Sequence, residues 1–180
     1  MHQEAYDGFK HMLNMAQDSN DFDRSAPWEG LDVGGRNVNG SVRAELPNTR
    51  WTGLDMRSGP DVDIVADAAT WVPDGQYDIV IATELFEHAE NWKAIIRTMW
   101  LALDQSGPGI FISTCASFGR PSHGASGEWG VPEGEWYCNV HVEDLRDELD
   151  HYFDAVSVEY NPNPGDAYAI AWSPVLQPVW

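Results

Sequence analysis

Three apolar segments in the first half of the chain end alike, on a carboxylate or small polar residue. GLDVGG carries Asp32 ahead of Gly34-Gly35, RWTGLDM ends on Asp55-Met56, and VDIVADA closes on Asp67-Ala68. A fourth segment, YDIVIATELFEH, runs from strand pattern straight into helical pattern. Near-continuous apolar strands interleaved with helices and glycine turns describe an α/β fold whose mostly parallel sheet is covered on both faces. In an open sheet of that kind, small ligands bind in the crevice outside the carboxyl ends of the strands. A glycine turn after the first strand, with an acidic residue about twenty positions later at the end of the second, suits a nucleoside ribose.

The remaining pattern fills in the fold. Residues 4–17 place Phe9, Met12, Leu13 and Ala16 on one face, which predicts an amphipathic helix, and DSNDFDRSAP follows as a polar connector. Strands are predicted over 29–33, 50–56, 62–66, 77–82 and 110–114, with a short helix over 41–46 that Pro47 stops. Trp92, Ile95, Ile96, Met99, Trp100 and Leu103 recur at helical spacing and predict a helix over 84–103, ended by Gly107-Pro108-Gly109. Only residues 56–62 separate the second and third strands, whereas a parallel crossover normally takes a dozen or more residues. The helix between those two strands is therefore expected to be missing. Val142 to Tyr152 predicts a further helix with an acidic first turn, and FDAVSVEYN and DAYAIAWS predict a closing hairpin around Pro162–Gly165. The expected architecture is a seven-stranded, mostly parallel, Rossmann-like sheet with a C-terminal antiparallel hairpin. One domain over 1–180 divides into an N-terminal helix and connector (1–28), a cofactor-binding half (29–115), a substrate loop (116–141) and a C-terminal helix and hairpin (142–180).

Gly34 and Gly35 stand where the backbone must approach a ligand closely, and the absence of G-x-G-x-x-G spacing counts against a dinucleotide. Asp55 can accept both ribose hydroxyls, because a carboxylate takes two donors in one plane. Asp67 can accept from an adenine amino group while Ala68 and Ala69 leave room for the ring. Read in order, GLDVGGRNVNGSV, WTGLDM, DIVADA, YDIVIATELFEH and GIFISTCASFG resemble the class I S-adenosylmethionine-dependent methyltransferases over about residues 29–168. The resemblance implies S-adenosyl-L-methionine as cofactor. It would put Gly34 and Gly35 along the methionine portion, Asp55 at the ribose, Asp67 and Ala68 at the adenine, and Thr83-Glu84 on the floor of the site. GGRNVNG replaces the family's glycine triplet, so Arg36 or Asn39 is expected at the methionine carboxylate, and Asp32, Met56 and Arg57 complete the implied cofactor set.

Methyl transfer from a sulfonium is an in-line displacement in which positioning supplies most of the rate. A base is needed only where the acceptor loses a proton; His88, with Glu84 beside it, is the catalytic candidate. Glu84, Glu87 and His88 spell E-x-x-E-H, and on a continuous helix these offsets share one face. With His123 or His141 added, the set resembles the arrangement in metal-dependent small-RNA 2′-O-methyltransferases. Acidic residues at a helix start are also favoured by the helix dipole alone, so the expectation is a structural string without a metal.

The stretch 116–139 is longer than an ordinary connection and is rich in Gly, Pro, Ser and Trp, which marks it as functional or disordered. His123, Trp129, Trp136, Tyr137 and His141 are its substrate candidates, since aromatic rings stack on planar acceptors as readily as they cover a sheet edge. The formal net charge of −19 repels phosphate backbones, and no basic stripe interrupts it. A small or single-nucleotide-like acceptor is therefore expected over a polynucleotide. The acidic residues are scattered through strands and turns, not blocked, which argues against a non-catalytic nucleic-acid mimic. Cys115 and Cys138 form no C-x-x-C pair, and MHQEAYDG lacks the basic and apolar regions of a signal peptide. No apolar run reaches the ~20 residues of a membrane span, so a cytoplasmic enzyme without membrane contact is expected.

Overall fold

The computed structural model describes residues 1–19, 22–107 and 109–176. Helix α1 (Gln3–Ser19) precedes strands β1 (Glu29–Val33), β2 (Arg50–Asp55), β3 (Ile64–Val65) and β4 (Ile79–Thr83). Helix α2 (Trp92–Ala102), β5 (Ile110–Ala116), α3 (Val142–Leu149), β6 (Phe153–Asn161) and β7 (Asp166–Pro174) follow. The strands form one seven-stranded sheet in the order β3-β2-β1-β4-β5-β7-β6. Pairings from β3 through β5 are parallel, and β7 joins β5 and β6 antiparallel. The expected α/β architecture and its terminal hairpin are thus present.

Alternation along the central strands explains the layering. Ile79, Ile81, Ile110 and Ile112 face α1 and pack against Phe9, Met12, Leu13 and Ala16. Val80, Ala82 and Phe111 point the other way, towards Ile96 and Met99 of α2 and Leu145 and Leu149 of α3. Both faces of the same strand are buried, which is why these strands read as unbroken apolar runs. No helix separates β2 from β3. Among the described residues, no helix is long and apolar enough to cross a membrane.

Several predicted boundaries shift. The helix expected over 84–103 begins only at Trp92, because Glu84 adopts φ +55 and turns the chain out of the strand direction. Phe86–His88 then makes a single 3₁₀ turn. Glu84, Glu87 and His88 consequently do not share a helix face. The third strand shrinks to Ile64–Val65 because Asp63 intercepts β2: its carboxylate accepts from the Gly53 amide at 2.8 Å and its own amide donates to the Gly53 carbonyl at 2.8 Å. The short helix expected over 41–46 is one 3₁₀ turn, Arg43–Glu45, and the helix from Val142 ends at Leu149. Pro108, in the predicted Gly107-Pro108-Gly109 stop, lies outside the described residues.

Candidate active site

The carboxyl ends of β1, β2 and β4 converge. After β1 the chain turns at Gly34, whose φ of +73 favours glycine, and the Gly34 and Gly35 amides both donate to the Leu54 carbonyl at 2.8 and 3.2 Å. The turn is thereby tied to the end of β2, beside Asp55. One Asp55 oxygen accepts from the Arg57 amide at 2.8 Å and the other from the Arg36 amide at 3.3 Å. Those two bonds fix the plane of a half-buried carboxylate and leave a lone pair on each oxygen for a ligand. Asp67 is braced by its own turn, accepting from the Ala69 amide at 2.9 Å.

Two adjoining clefts open here. One, of about 380 Å³, is lined by Asp55, Met56, Arg57, Asp67, Ala68 and Trp136. The other, of about 460 Å³, is lined by Asp32, Gly35, Asn39, Thr83, His123 and Trp129. Gly34, Arg36, Glu84 and His88 border both, so the two form one continuous site. All twelve cofactor candidates fall on its walls. Trp129 is 93% exposed at the mouth, which removes the alternative that it covers a sheet edge. Tyr137 lines neither cleft but packs edge-on against the rings of His88 (5.5 Å) and His123 (4.9 Å), which are themselves 5.1 Å apart. His141 is the exposed N-cap residue of α3, its ring 6.3 Å from Phe118, and it too lines neither cleft.

The charged groups are held by partners that sequence spacing does not reveal. Asp32 is nearly fully buried and pairs with Arg43 Nε at 2.9 Å, while Arg43 Nη2 donates to the Asp61 carbonyl at 2.9 Å. Burial pushes the Asp32 carboxyl up to about 6 even against Arg43. Glu84 accepts from Thr114 Oγ1 at 3.2 Å and meets His2 Nε2 at 3.0 Å. Arg120 bridges to the fully buried Asp166 at 2.7 Å, and His2 Nε2 lies 3.3 Å from the same carboxylate. Burial alone would raise Glu84, but the bond and charge of His2 and the charge of Arg120 outweigh it and hold that carboxyl below its usual value. Burial, then the Glu84 charge, pushes Asp166 up to about 6. Burial and the neighbouring His123 lower His88, which keeps its imidazole neutral at physiological pH. Glu87 is driven well above its ordinary value by burial and by Glu84; the backbone of Ala116 lies near its carboxyl without completing a hydrogen bond. Sequence reasoning missed Arg43, His2, Arg120 and Asp166. The signal available was Arg120, a lone cation just past the carboxyl end of the fifth strand in FGRPSHG.

The sequence profile of a family described as a methyltransferase domain matches residues 9–156. No curated protein sequence matches the chain. Among solved structures, the DhpI–SAH complex is similar with a TM-score of 0.62 and 16% identity, over 93% of this chain and 88% of that one. An S-adenosylmethionine-dependent methyltransferase from Mesorhizobium loti gives 0.60 and 14%, over 91% and 96%. The N-methyltransferase NodS from Bradyrhizobium japonicum WM9, in complex with S-adenosyl-L-homocysteine, gives 0.57 and 12%, over 91% and 84%. At these identities the likeness is one of fold.

Proposed function

Because the chain belongs to the methyltransferase-domain family, we propose that it binds S-adenosyl-L-methionine across the two joined clefts and transfers its methyl group to a small acceptor. The observation that carries this reading is the Asp55 carboxylate, oriented by two amides and set between the glycine turn and the Asp67-Ala68 pocket. That spacing suits a nucleoside: ribose on Asp55, adenine beside Asp67 and Ala68, and the methionine arm running past Gly34 and Gly35 towards Arg36 and Asn39. The sulfonium methyl would then face the second cleft, where Glu84 and His88 border both volumes. Glu84 is engaged by His2 and Thr114, so any proton the acceptor loses leaves at the His88 end. The sulfonium carries the driving force, and the protein's part is alignment.

The acceptor side is walled by His123 and the exposed Trp129, and the described residues offer no cationic stripe for a polynucleotide to follow. Calorimetric titration with S-adenosylhomocysteine is expected to show one equivalent bound and titration with NAD to show none. Failure to bind S-adenosylhomocysteine, or equal binding of NAD, overturns the reading. Once an acceptor is found, Trp129→Ala should leave S-adenosylhomocysteine affinity unchanged and raise the acceptor KM by roughly two- to tenfold, matching the ~0.5–1.5 kcal/mol of an aromatic contact. An unchanged KM would remove Trp129 from the acceptor wall.

A further inference from the structure

Glu87 is fully buried, and neither of its carboxyl oxygens has a hydrogen-bond partner among the described residues. Native proteins rarely leave such a group unanswered. Its neighbour His88 repeats the anomaly, with Nδ1 buried and unpartnered. His123 reaches the same place from the long loop, and one ligand atom from each of Glu87, His88 and His123 lies within 4.8 Å of the others. The His123 ring is already oriented. Its Nδ1 is 3.0 Å from the Pro121 carbonyl, which fixes the proton on that nitrogen and leaves the Nε2 lone pair free. Metal-ligating histidines are held in this manner, by a carbonyl or carboxylate on the second ring nitrogen. Tyr137 steadies the arrangement, packing edge-on against both imidazoles and donating to the same Pro121 carbonyl at 3.3 Å.

We propose that Glu87, His88 and His123 form a binding site for one divalent transition-metal ion, open to the acceptor cleft. Two imidazoles and one carboxylate favour zinc or a similar first-row ion over calcium or magnesium, which select all-oxygen shells. Glu87 lies beneath the cleft floor while His88 and His123 line the cleft, so the vacant coordination position falls on the acceptor side. The sequence expectation of no metal rests on a helix start whose dipole favours acidic residues, whereas Phe86–His88 is a lone 3₁₀ turn. Glu84 is turned away to His2 and Thr114, and the loop's His123 supplies the third ligand.

This site deepens the methyltransferase reading and rests on it. The ion would take an acceptor hydroxyl oxygen as its fourth ligand and lower that hydroxyl's pKa, so that His88 acts by ligation. The proton passes to solvent. The oxyanion attacks the cofactor methyl, the O–CH₃ bond forms as the S–CH₃ bond breaks, and the sulfur keeps the electron pair as a neutral thioether. The acceptor class is accordingly a small alcohol or phenol.

Full-length protein stripped with chelator should be titrated with Zn²⁺ by equilibrium dialysis, and with Co²⁺ followed by its visible absorption. One equivalent of Zn²⁺ and a four-coordinate Co²⁺ spectrum are expected. Glu87→Gln, which keeps the buried volume, and His123→Ala, in the loop, should each weaken Zn²⁺ binding by roughly 100-fold or more. His141→Ala, exposed and outside the cleft, should leave it unchanged. Zn²⁺ binding that survives both ligand variants, or that is lost with His141, overturns the site. S-adenosylhomocysteine binding measured on the same stripped sample separates the two readings. Its retention without a bound ion removes the metal alone; its absence beside one bound ion removes the methyltransferase assignment and leaves the metal site standing.

Discussion

Arg43→Ala is expected to destabilise the protein by about 3–5 kcal/mol, the cost of removing one partner of a buried ion pair and stranding the other. For a chain of this size that corresponds to a fall in Tm of roughly 6–20 °C. Arg43 is the sole cation bonded to Asp32 among the described residues, at 2.9 Å with side chains 16% and 7% exposed. Its other arm reaches the Asp61 carbonyl at 2.9 Å and so pins the 56–63 connection against the end of β1. That connection has no helix to hold it, and it presses so closely on β2 that a Cβ on Gly53 would come within 1.8 Å of the Asp61 carbonyl oxygen. The pH dependence carries a sign. Asp32 has a folded-state pKa of about 6 against an ordinary 3.8, so it contributes stability that is full below the ordinary value and is lost as pH rises through 6. Without Arg43 the folded value climbs further. The deficit of Arg43→Ala should therefore be greatest at pH 8 and shrink towards pH 5. Pairing Arg43→Met with Asp32→Asn should restore most of the loss, because deleting both halves leaves no buried charge. Thermal unfolding of the single and double variants at the two pH values checks this. A deficit under 1 kcal/mol, or one equal at both, would show that the pair bears no load.

Most of the sheet was legible because its central strands obey a single rule. β1, β4 and β5 are buried on both faces, so apolar runs bounded by glycine, proline or aspartate mark their limits closely. The missing crossover helix was equally legible, since 56–62 is too short to hold one. Asp55 and Asp67 could be found because a strand's carboxyl end is a fixed place, and position alone commits its residues to the cleft. Three features escaped for separate physical reasons. The 84–103 helix was read too early because its apolar periodicity starts only at Trp92, while the preceding residues are shaped by the left-handed turn at Glu84. The third strand was overestimated because a side chain, Asp63, takes the place of a backbone ladder bond. The ion pairs around the cleft lie beyond any periodicity: Arg120 meets Asp166 across 46 positions, and His2 meets Glu84 and Asp166 from the far N-terminal end of the chain. His141 shows how one residue can carry two readings, since a histidine beside a long loop can equally be the residue that starts the next helix.

Asp55→Ala should cost S-adenosylhomocysteine at least roughly 100-fold in affinity. Each hydrogen bond to a charged acceptor contributes about 1.5–3 kcal/mol, and the loss of two such bonds spans about two to four decades in Kd. The Arg36 amide holds one oxygen and the Arg57 amide the other, so the carboxylate cannot rotate to serve a single donor. Vicinal ribose hydroxyls present two donors at matching separation. Asp55→Asn keeps the side-chain shape and one acceptor but loses the charge, and should fall between Ala and wild type. Truncation also frees the two amides, so thermal stability must be followed alongside, and little change is expected because the group is half-exposed at a strand end. The decisive comparison uses the 2′-deoxy analogue of S-adenosylhomocysteine. Wild type should bind it roughly tenfold or more weakly than the parent, and Asp55→Ala should not distinguish the two, since the mutated chain no longer offers the acceptor that the missing hydroxyl would have met. If Asp55→Ala retains wild-type affinity, or still discriminates the analogue, the ribose sits elsewhere in the cleft.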